Sequence, residues 1–321
     1  MPRDIVVFNR RSGADPTRAR LVNRLLARRL RADGRQVLLI RVGRRHRPWE
    51  HRLRRALRLS TARVFVLGGD GTVLSAADAL LSDQGPTKAA LGIIPLGTAN
   101  LLARDLGIPL DPHRAVDALL HGGQRWIDVG SVNGHPFLCA SMLGLPTHLA
   151  QVREAGRRHG LLRIGPRLIR RGLWLLRRYP YTRVRMELAH GVVELRTRTM
   201  VIANNPLRAE AGLYPRRDRL DSGLLGIYGV REGPLHELPR LAATLLAGTW
   251  RDEPQVFVHQ SARVRLQSDR RRRIRVLNDG EGLRLTTPLA YSIRPRALAV
   301  LVPADSAERP DVAIAEAGSN G

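Results

Sequence analysis

The first 125 residues alternate short apolar runs with longer segments in which apolar residues recur every three or four positions. The short runs predict buried strands, and the longer segments predict amphipathic helices. Strands that alternate with helices at this spacing are typical of a parallel sheet covered by helices on both faces. The predicted strands are residues 5–8, 37–42, 63–67 and 91–94, and the predicted helices are residues 17–33, 48–59, 72–81 and 112–120.

The pattern changes near residue 126, where strand-like runs begin to follow one another directly. Asn133-Gly134 separates the apolar runs 126–132 and 136–141 and predicts a tight β-hairpin. This half is therefore predicted to be antiparallel β structure. The further predicted strands are residues 181–188, 192–203, 223–230, 255–259, 262–267, 273–277, 283–286 and 297–302, and helical patterns interrupt them at 166–178 and 235–249.

The charge balance is strongly basic. The chain has 54 Lys and Arg residues against 28 Asp and Glu residues, a formal net charge of +26, and Lys88 is its single lysine. Such a charge predicts an anionic partner, which we expect to be a nucleic acid, a membrane surface or a phosphate-bearing ligand. Apolar residues make up 43% of the chain, which is enough to form cores and excludes wholesale disorder.

Cys139 is the only cysteine, which excludes an intrachain disulfide and a cysteine-based metal cluster. No apolar run reaches about 18 residues, so we predict no transmembrane helix. The chain enters a predicted strand within its first few residues, a start that does not fit a signal peptide. We therefore expect a cytoplasmic protein that associates peripherally with membranes.

A glycine-rich loop, Gly68, Gly69, Asp70, Gly71 and Thr72, follows the predicted strand that ends at Leu67. Glycines let a backbone approach phosphate oxygens closely, and the start of the next helix offers free N–H groups. Thr72 can cap that helix or bind a phosphate. An aspartate beside phosphates normally works through Mg²⁺ or a substrate hydroxyl, because a bare carboxylate repels phosphate. The alternative interpretation is a plain glycine turn with a solvated Asp70.

A second small-residue loop contains Gly97, Thr98, Ala99 and Asn100 and also follows a predicted strand. The carboxyl ends of parallel strands meet at one edge of the sheet, so the two loops together predict a nucleotide cleft. Thr98 can donate to a phosphate, and Asn100 can bind ribose, phosphate or neighbouring backbone. Taken alone, this loop is equally compatible with a structural role.

Four stretches of the chain together resemble the diacylglycerol kinase catalytic-domain family, which includes bacterial lipid kinases. They are residues 68–72, 94–100, 126–130 and 279–281. The resemblance covers residues 5–303 and implies a three-layer α/β nucleotide domain, like that of NAD kinases and diacylglycerol kinases, followed by a β-sandwich, with the active site between them. The implied domains are 1–125 with 290–303 returning to it, 126–289 for the lipid substrate, and a disordered tail at 304–321.

The same resemblance assigns roles to individual residues. Glu281 falls on the general base, and Asp70 is a second catalytic residue. Without the resemblance, Glu281 would be interpreted as a solvated turn residue. Mg²⁺ is expected near Asp70, Asp128 and Asp221. The implied ATP-binding residues are Asn9, Gly68, Gly69, Asp70, Gly71, Thr72, Gly97, Thr98 and Asn100.

Two departures from the family pattern concern metal-binding acids. Leu101 stands where the family often has an aspartate, and Asp221 lies one position earlier than the family's acid before Gly-Leu-Leu. These departures keep open a second function, a nucleotide-binding regulator with weak catalysis. An NAD kinase-like enzyme is the nearest enzymatic alternative.

The predicted helix 166–178 places Trp174 among arginines and is typical of a helix at an anionic membrane interface. Packing of Trp174 within the domain explains the pattern equally well. Residues 270–273 form another basic run.

We predict ATP-dependent phosphorylation of a lipid hydroxyl, most simply that of diacylglycerol, to give a phospholipid such as phosphatidic acid. We expect no specific nucleic acid partner, because aromatic residues are 4% of the chain and no recognition motif is present. Homodimer formation stays open.

Overall fold

The computed structural model describes residues 3–10, 12–13, 15–43, 47–58, 61–81, 89–147, 180–188, 191–211, 216–217, 219–269 and 272–307. The chain divides into two compact units. The first unit comprises Met1–Trp126 and Leu298–Gly321, and the second comprises Ile127–Ala297. The last strand of the chain thus returns to the unit in which the chain begins.

The first unit is built on a parallel sheet with the strand order β2-β1-β3-β4-β15. Its strands are β1 (Arg3–Phe8), β2 (Gln36–Arg41), β3 (Thr61–Gly68), β4 (Ala90–Pro95) and the C-terminal end of β15 (Leu289–Val302). The helices described in this unit are α1 (Pro16–Ala32), α2 (Arg47–Leu57), α3 (Asp70–Leu81), α4 (Leu101–Asp105), α5 (Pro112–Leu120) and α7 (Ala304–Ala307).

The chain reverses its direction of travel across this sheet after β2, because β2 and β3 lie on opposite sides of β1. Right-handed crossovers therefore place α1 and α2 on opposite faces of the sheet. In agreement, α1 packs against α5 and α2 packs against α3. The sheet is thus covered on both faces, which confirms the α/β architecture that the apolar pattern predicts.

The core of this sheet contains one charged residue that the apolar pattern does not predict. Ile5, Val6 and Val7 of β1 are fully buried, and so is Asp4 at the start of the strand. The Asp4 carboxylate forms ion pairs with Arg35 and Arg63. Removing one partner of such a pair would leave a buried charge without compensation, so the three residues depend on one another.

The second unit contains two antiparallel sheets, with strand orders β14-β13-β7-β9-β10-β11 and β9-β8-β12-β15-β5-β6. Side chains from both sheets form a common apolar core, as in a β-sandwich. The strands are β5 (Gly123–Val132), β6 (His135–Phe137), β7 (Ala140–Gly144), β8 (Thr182–Leu188), β9 (Gly191–Asn204), β10 (Leu225–Arg231), β11 (Val256–Ser261), β12 (Arg263–Ser268), β13 (Arg273–Asn278), β14 (Glu281–Thr286) and the first part of β15.

The long strand β9 belongs to both sheets. Residues 191–197 pair with β8, whereas residues 199–204 pair with β7 and β10. The register with β10 shifts between these two halves. A bulge increases twist and bends a strand, so one strand can pass from one sheet to the other.

After β10 the chain forms helix α6 (Leu238–Ala247) with 3₁₀ turns on either side of it, Leu235–Glu237 and Trp250–Asp252. Trp250 packs edge-on against Tyr228 of β10, with ring centroids 5.4 Å apart. The predicted helix 235–249 is therefore present, but divided into a helix and flanking turns.

The predicted hairpin at Asn133-Gly134 is confirmed, and both residues have positive φ, as a tight turn of this kind requires. The predicted strand 136–141 is wrong in one respect, because the structure interrupts it at Leu138 and Cys139. The N–H groups there donate to the side chain of Asp279 and not to a neighbouring strand.

Two predicted segments fall largely outside the part of the chain that the structure describes. The basic helix 166–178 with Trp174 is not among the described residues. Of the predicted tail 304–321, residues 304–307 form helix α7 and the rest is not described. Among the helices that are described, none is long and apolar enough to cross a membrane.

Candidate functional site

Three loops meet at the carboxyl ends of β1, β3 and β4 in the first unit. They are residues 9–10 with 12–13, residues 68–72 and residues 96–100, and we refer to them together as the loop cluster. The chain continues from β1 and from β3 in opposite directions, so the cluster lies at the switch point of the sheet. Ligands of open α/β sheets bind at this point.

Asn9 and Thr72 join the loop that follows β1 to the glycine-rich loop 68–72. The Asn9 side-chain amide donates to the Thr72 hydroxyl at 2.9 Å, and its backbone N–H donates to the Leu67 carbonyl at 3.0 Å. A Cβ on Gly68 would lie 2.7 Å from the Thr72 Cβ. Gly68 therefore allows Thr72 to fold back over the loop and reach Asn9.

The glycine-rich loop and the second loop touch backbone to backbone. A Cβ on Gly97 would lie 2.8 Å from the Gly69 Cα and 2.7 Å from the Asn100 side-chain oxygen. A Cβ on Gly69 would lie 3.3 Å from both the Gly97 Cα and the Ser12 hydroxyl oxygen. Side chains at Gly69 or Gly97 would therefore push the loops apart.

Asp70 lies in the first turn of α3 and binds the loop 96–100 through its carboxylate. One carboxylate oxygen accepts from the Asn100 N–H at 3.0 Å, and the other accepts from the Leu101 N–H at 2.8 Å. These N–H groups begin the short helix α4, so Asp70 acts as its cap from a distant part of the chain. The sequence suggests a metal or a substrate hydroxyl as the partner of Asp70, and it does not predict this structural bond.

Asn100 closes the second loop on itself. Its φ of 48° is left-handed, and its side-chain amide exchanges two hydrogen bonds with the Gly97 backbone, at 3.0 and 2.8 Å. Thr98, at the tip of this loop, is exposed. Of the two polar residues, Asn100 is thus used within the loop and Thr98 faces outward.

In the second unit, Glu281 is exposed at the start of β14, just after a tight turn. Asp279 and Gly280 form that turn with positive φ. The buried carboxylate of Asp279 accepts three backbone N–H groups, from Leu138 at 2.6 Å and from Cys139 and Ala140 at 2.8 Å. Asp279 therefore anchors the turn that presents Glu281.

Arg217 also contacts the segment that Asp279 binds. It is buried, and its guanidinium donates to the carbonyl oxygens of Leu138 and Asn204 at 2.6 and 2.8 Å. Burial raises the pKa of Asp279, while its three N–H bonds and the charge of Arg217 act in the opposite direction. The sequence analysis includes Asp279 in the motif 279–281 without giving it a role, and it does not single out Arg217.

The other predicted metal residues also have partners in the second unit. Asp128 is fully buried, and its carboxylate accepts from the Asn205 side chain and the backbone N–H groups of Gly223 and Arg296, at 2.7 to 2.8 Å. Asp221 forms ion pairs with Arg219 and Arg296. In the described ranges no group of three or more His, Cys, Asp or Glu residues is arranged to hold a metal ion.

A doubly covered parallel sheet with glycine loops at its switch point, followed by a β-sandwich, defines a fold of the NAD kinase and diacylglycerol kinase type. The family model "Diacylglycerol kinase catalytic domain" matches residues 3–132. The model "YegS C-terminal NAD kinase beta sandwich-like domain" matches residues 151–302. Residues 3–132 therefore carry a diacylglycerol kinase catalytic domain, and residues 151–302 carry a sandwich domain of the YegS type.

Curated relatives are similar to this chain over part of their length. A Pseudomonas aeruginosa protein named "Probable lipid kinase YegS-like" is 49% identical over 83 residues, which are 26% of each chain. A Pectobacterium atrosepticum protein of the same name is 36% identical over 121 residues, 37% of this chain and 40% of the relative. The chain spans from about a quarter to a half of the length of the curated relatives it matches.

Solved structures match over nearly the whole chain at low identity. The crystal structure of a diacylglycerol kinase from Bacillus anthracis superposes with a TM-score of 0.68. It is 16% identical in sequence, and the match covers 94% of this chain and 96% of the other. This likeness shows that the two proteins share a fold.

Proposed function

We propose that this protein is an ATP-dependent kinase that phosphorylates the hydroxyl of diacylglycerol or a related lipid alcohol. The product would be a phospholipid such as phosphatidic acid. The observation that carries the proposal is the loop cluster, in which three backbone-rich loops meet at the switch point and Asp70 ties two of them together. The match of residues 3–132 to the diacylglycerol kinase catalytic domain supports the same chemistry.

ATP is proposed to bind with its phosphates at the loop cluster. Gly69 and Gly97 carry no side chains, so phosphate oxygens can approach the backbone there. Helix α3 begins at Asp70 and directs its positive dipole end towards the cluster. Thr98 offers an exposed hydroxyl at the tip of the second loop. These groups bind and orient the phosphates, which is most of what phosphoryl transfer asks of a protein.

Asp70 is the residue proposed to hold Mg²⁺. Each of its oxygens accepts one N–H group, and a carboxylate has about four lone-pair positions, so two remain for a cation or its water. One or two carboxylates with substrate phosphates are typical of Mg²⁺ sites. When bound, the ion neutralises charge on the transferred phosphoryl group. Asp128 fits this role less well, because its carboxylate is fully buried and already accepts three N–H groups.

Glu281 is proposed as the general base. The lipid hydroxyl oxygen bonds to the γ-phosphorus, the bond from that phosphorus to the oxygen of ADP breaks, and the hydroxyl proton passes to the Glu281 carboxylate. Glu281 is exposed, and Asp279 fixes the turn on which it lies. A base held on a fixed turn loses little orientational freedom when the acceptor binds.

A cavity of about 70 Å³ between the two sheets of the second unit supports a lipid acceptor. Six of its fifteen lining residues carry apolar side chains, which suit part of an acyl chain. Hydroxyl and guanidinium groups also line it, from Thr182, Thr197 and Arg198 among others. The apolar lining residues are Leu143, Val184, Met200, Leu266, Ile274 and Leu289.

The test is a transfer assay with the full chain, labelled ATP, Mg²⁺ and a panel of lipid alcohols in detergent micelles. We expect labelled phospholipid that disappears when the metal is chelated. NAD in place of the lipid is the matched control for an NAD kinase-like enzyme. Labelled NADP without labelled lipid would contradict the proposal.

A nucleotide-binding regulator is the second candidate, and Leu101 favours it. Leu101 contributes only its backbone N–H to Asp70 and brings no carboxylate to the second loop. Fewer acids near the phosphates would weaken metal binding. ATP binding by the pure chain, without transfer to any lipid or to NAD, would support this candidate.

A further inference from the structure

Strand β11 lies at an edge of the β-sandwich. In the part of the chain that the structure describes, it pairs with β10 alone. The Arg231 N–H donates to the Gln255 carbonyl at 2.8 Å, which fixes the alternation of hydrogen bonds between the two strands. By that alternation, the backbone N–H and C=O groups of Val258 and Gln260 point away from β10. β11 therefore offers hydrogen-bonding groups to a further strand.

The sequence of β11 lacks the features that normally prevent such pairing. Edge strands are usually protected by proline, by charged side chains or by being short. The edge strand β6 has three residues and contains Pro136, and the edge strand β14 carries Glu281 and Arg284. β11 has six residues, and none of them is Pro, Lys, Arg, Asp or Glu. Of these three edges, β11 is therefore the one suited to bind another strand.

Exposed apolar side chains of helix α6 belong to the same region of the surface. Both α6 and β11 lie against the 3₁₀ turn Trp250–Asp252. Leu245 and Leu246 of α6 are 45% and 52% exposed, and Val258 of β11 is 36% exposed. The other exposed apolar residues of the helix are Ala242, Ala243 and Ala247. We call the exposed side of α6 together with the free edge of β11 the β11 edge surface.

This part of the chain is electrically neutral. Residues 238–261 contain two arginines, Arg240 and Arg251, and two acids, Asp252 and Glu253, so their formal charges cancel. Arg240 forms an ion pair with Glu253. The whole chain, in contrast, carries a net charge of +26. Two copies of such a chain repel each other least where the charge is balanced. A second copy can therefore approach closely at the β11 edge surface.

We propose that two copies of this chain form a dimer through the β11 edge surface. The two β11 strands pair antiparallel about a two-fold axis, with Val258 opposite its own counterpart, so both copies contribute the same residues. A stable interface buries about 1,200–2,000 Å² in total. One pair of six-residue strands falls short of that area, and the exposed leucines of α6 supply the rest. This inference does not depend on the proposed function.

A membrane is a poorer occupant of this surface. Lipid tails have no hydrogen-bonding groups, so insertion into a bilayer would leave the outward N–H and C=O groups of Val258 and Gln260 unsatisfied. The balanced charge also provides no attraction to anionic headgroups. A second copy meets both conditions, because it brings an identical apolar helix and an identical free strand edge.

The test is the mass of the full chain in solution, measured by analytical ultracentrifugation over a wide range of protein concentrations. We expect a species of twice the 35.7 kDa of one chain. Added salt should strengthen the dimer, because it screens the repulsion between the two basic chains. Val258→Arg should raise the Kd of the dimer at least about 100-fold, because the two-fold axis brings the two new charges together. Leu245→Gln/Leu246→Gln should raise it at least about tenfold, because less apolar area is buried.

The matched control is Val192→Arg, which adds the same charge at a side chain that is 52% exposed on β9, outside the β11 edge surface. It should leave the Kd of the dimer unchanged, and thermal unfolding should verify that all the variants are folded. A chain that stays monomeric at every concentration would overturn the proposal. A dimer that Val258→Arg does not weaken, or that Val192→Arg weakens equally, would overturn it as well. Kinase activity is not part of this measurement, so failure of the proposed function would leave the result unchanged.

Discussion

Asp70 in the first unit and Asp279 in the second unit both bind backbone N–H groups, but in different surroundings. Each carboxylate accepts backbone N–H groups from a distant segment and so fixes a loop or turn. Asp70 is half-buried and accepts two such bonds, whereas Asp279 accepts three beside the buried Arg217. The loop that we propose to bind phosphates thus keeps spare acceptor positions on Asp70, whereas Asp279 uses more of its acceptor positions to hold the turn before Glu281.

The largest expected effect is the loss of stability when Asp279 in the second unit is replaced. Asp279→Ala leaves three N–H groups without their acceptor and Arg217 without its counter-charge. A buried donor left without its acceptor costs about 1–3 kcal/mol, so we expect the free energy of unfolding to fall by several kcal/mol. Urea unfolding measures it, with the exposed Asp269→Ala as control. A change below about 1 kcal/mol would show that the anchor is dispensable.

The next effect concerns Glu281, which lies just after the turn that Asp279 holds. Glu281→Gln should lower the rate of phosphoryl transfer by about 10²–10⁴-fold, because a positioned base contributes that much. ATP affinity should stay the same, since the base acts on the lipid hydroxyl. Steady-state kinetics and a separate ATP titration measure the two quantities, with Glu194→Gln as control. Loss of ATP affinity at an unchanged rate would make Glu281 a binding residue.

Asp70→Ala should change stability less than Asp279→Ala and activity more than any neighbouring substitution. The lost cap costs about 1 kcal/mol. The rate of transfer should fall by about 10²–10³-fold, because the loop 96–100 and the proposed Mg²⁺ would lose their common support. Transfer with labelled ATP and thermal unfolding measure both effects. Asp78→Ala on the same helix, which removes a surface pair with Arg54, is the control and should retain full activity.

The smallest effect is a dependence on pH. Burial raises the pKa of Asp279 above its ordinary value of 3.8. A carboxyl with a raised pKa binds more protons in the folded protein, so the free energy of unfolding falls as pH rises from about 4 through the raised pKa, and then levels off. We expect Asp279→Asn to lack this fall. Urea unfolding across that interval compares the two proteins, and a steeper fall in the variant would reverse the assignment.

Much of the architecture follows from local patterns. The short apolar runs before glycines predict β3 and β4 and the edge at which their loops meet, because parallel strands end together. The turn at Asn133-Gly134 needs two residues that accept positive φ, and that requirement is visible in the sequence. The roles of the predicted ATP and Mg²⁺ residues remain predictions, although Asn9, Thr72, Asp70 and Asn100 do lie together in the loop cluster.

What the sequence does not predict depends on contacts between distant residues. The strand expected at 136–141 breaks because Asp279, some 140 positions later, takes its N–H groups. Arg217 is buried although hydropathy would place it in solvent, since backbone carbonyls satisfy its guanidinium. Helix α4 is too short to show a period, and its cap lies on another loop.

Cys139 gives this protein a built-in reporter. It is the only cysteine of the chain, it is 8% exposed, and its sulfur lies 3.5 Å from the Arg217 guanidinium beneath the anchored turn. A thiol reagent therefore reaches it chiefly when that region opens. The labelling rate of the unmodified protein measures how often the segment around Leu138 detaches from Asp279, which is a local opening equilibrium distinct from global unfolding.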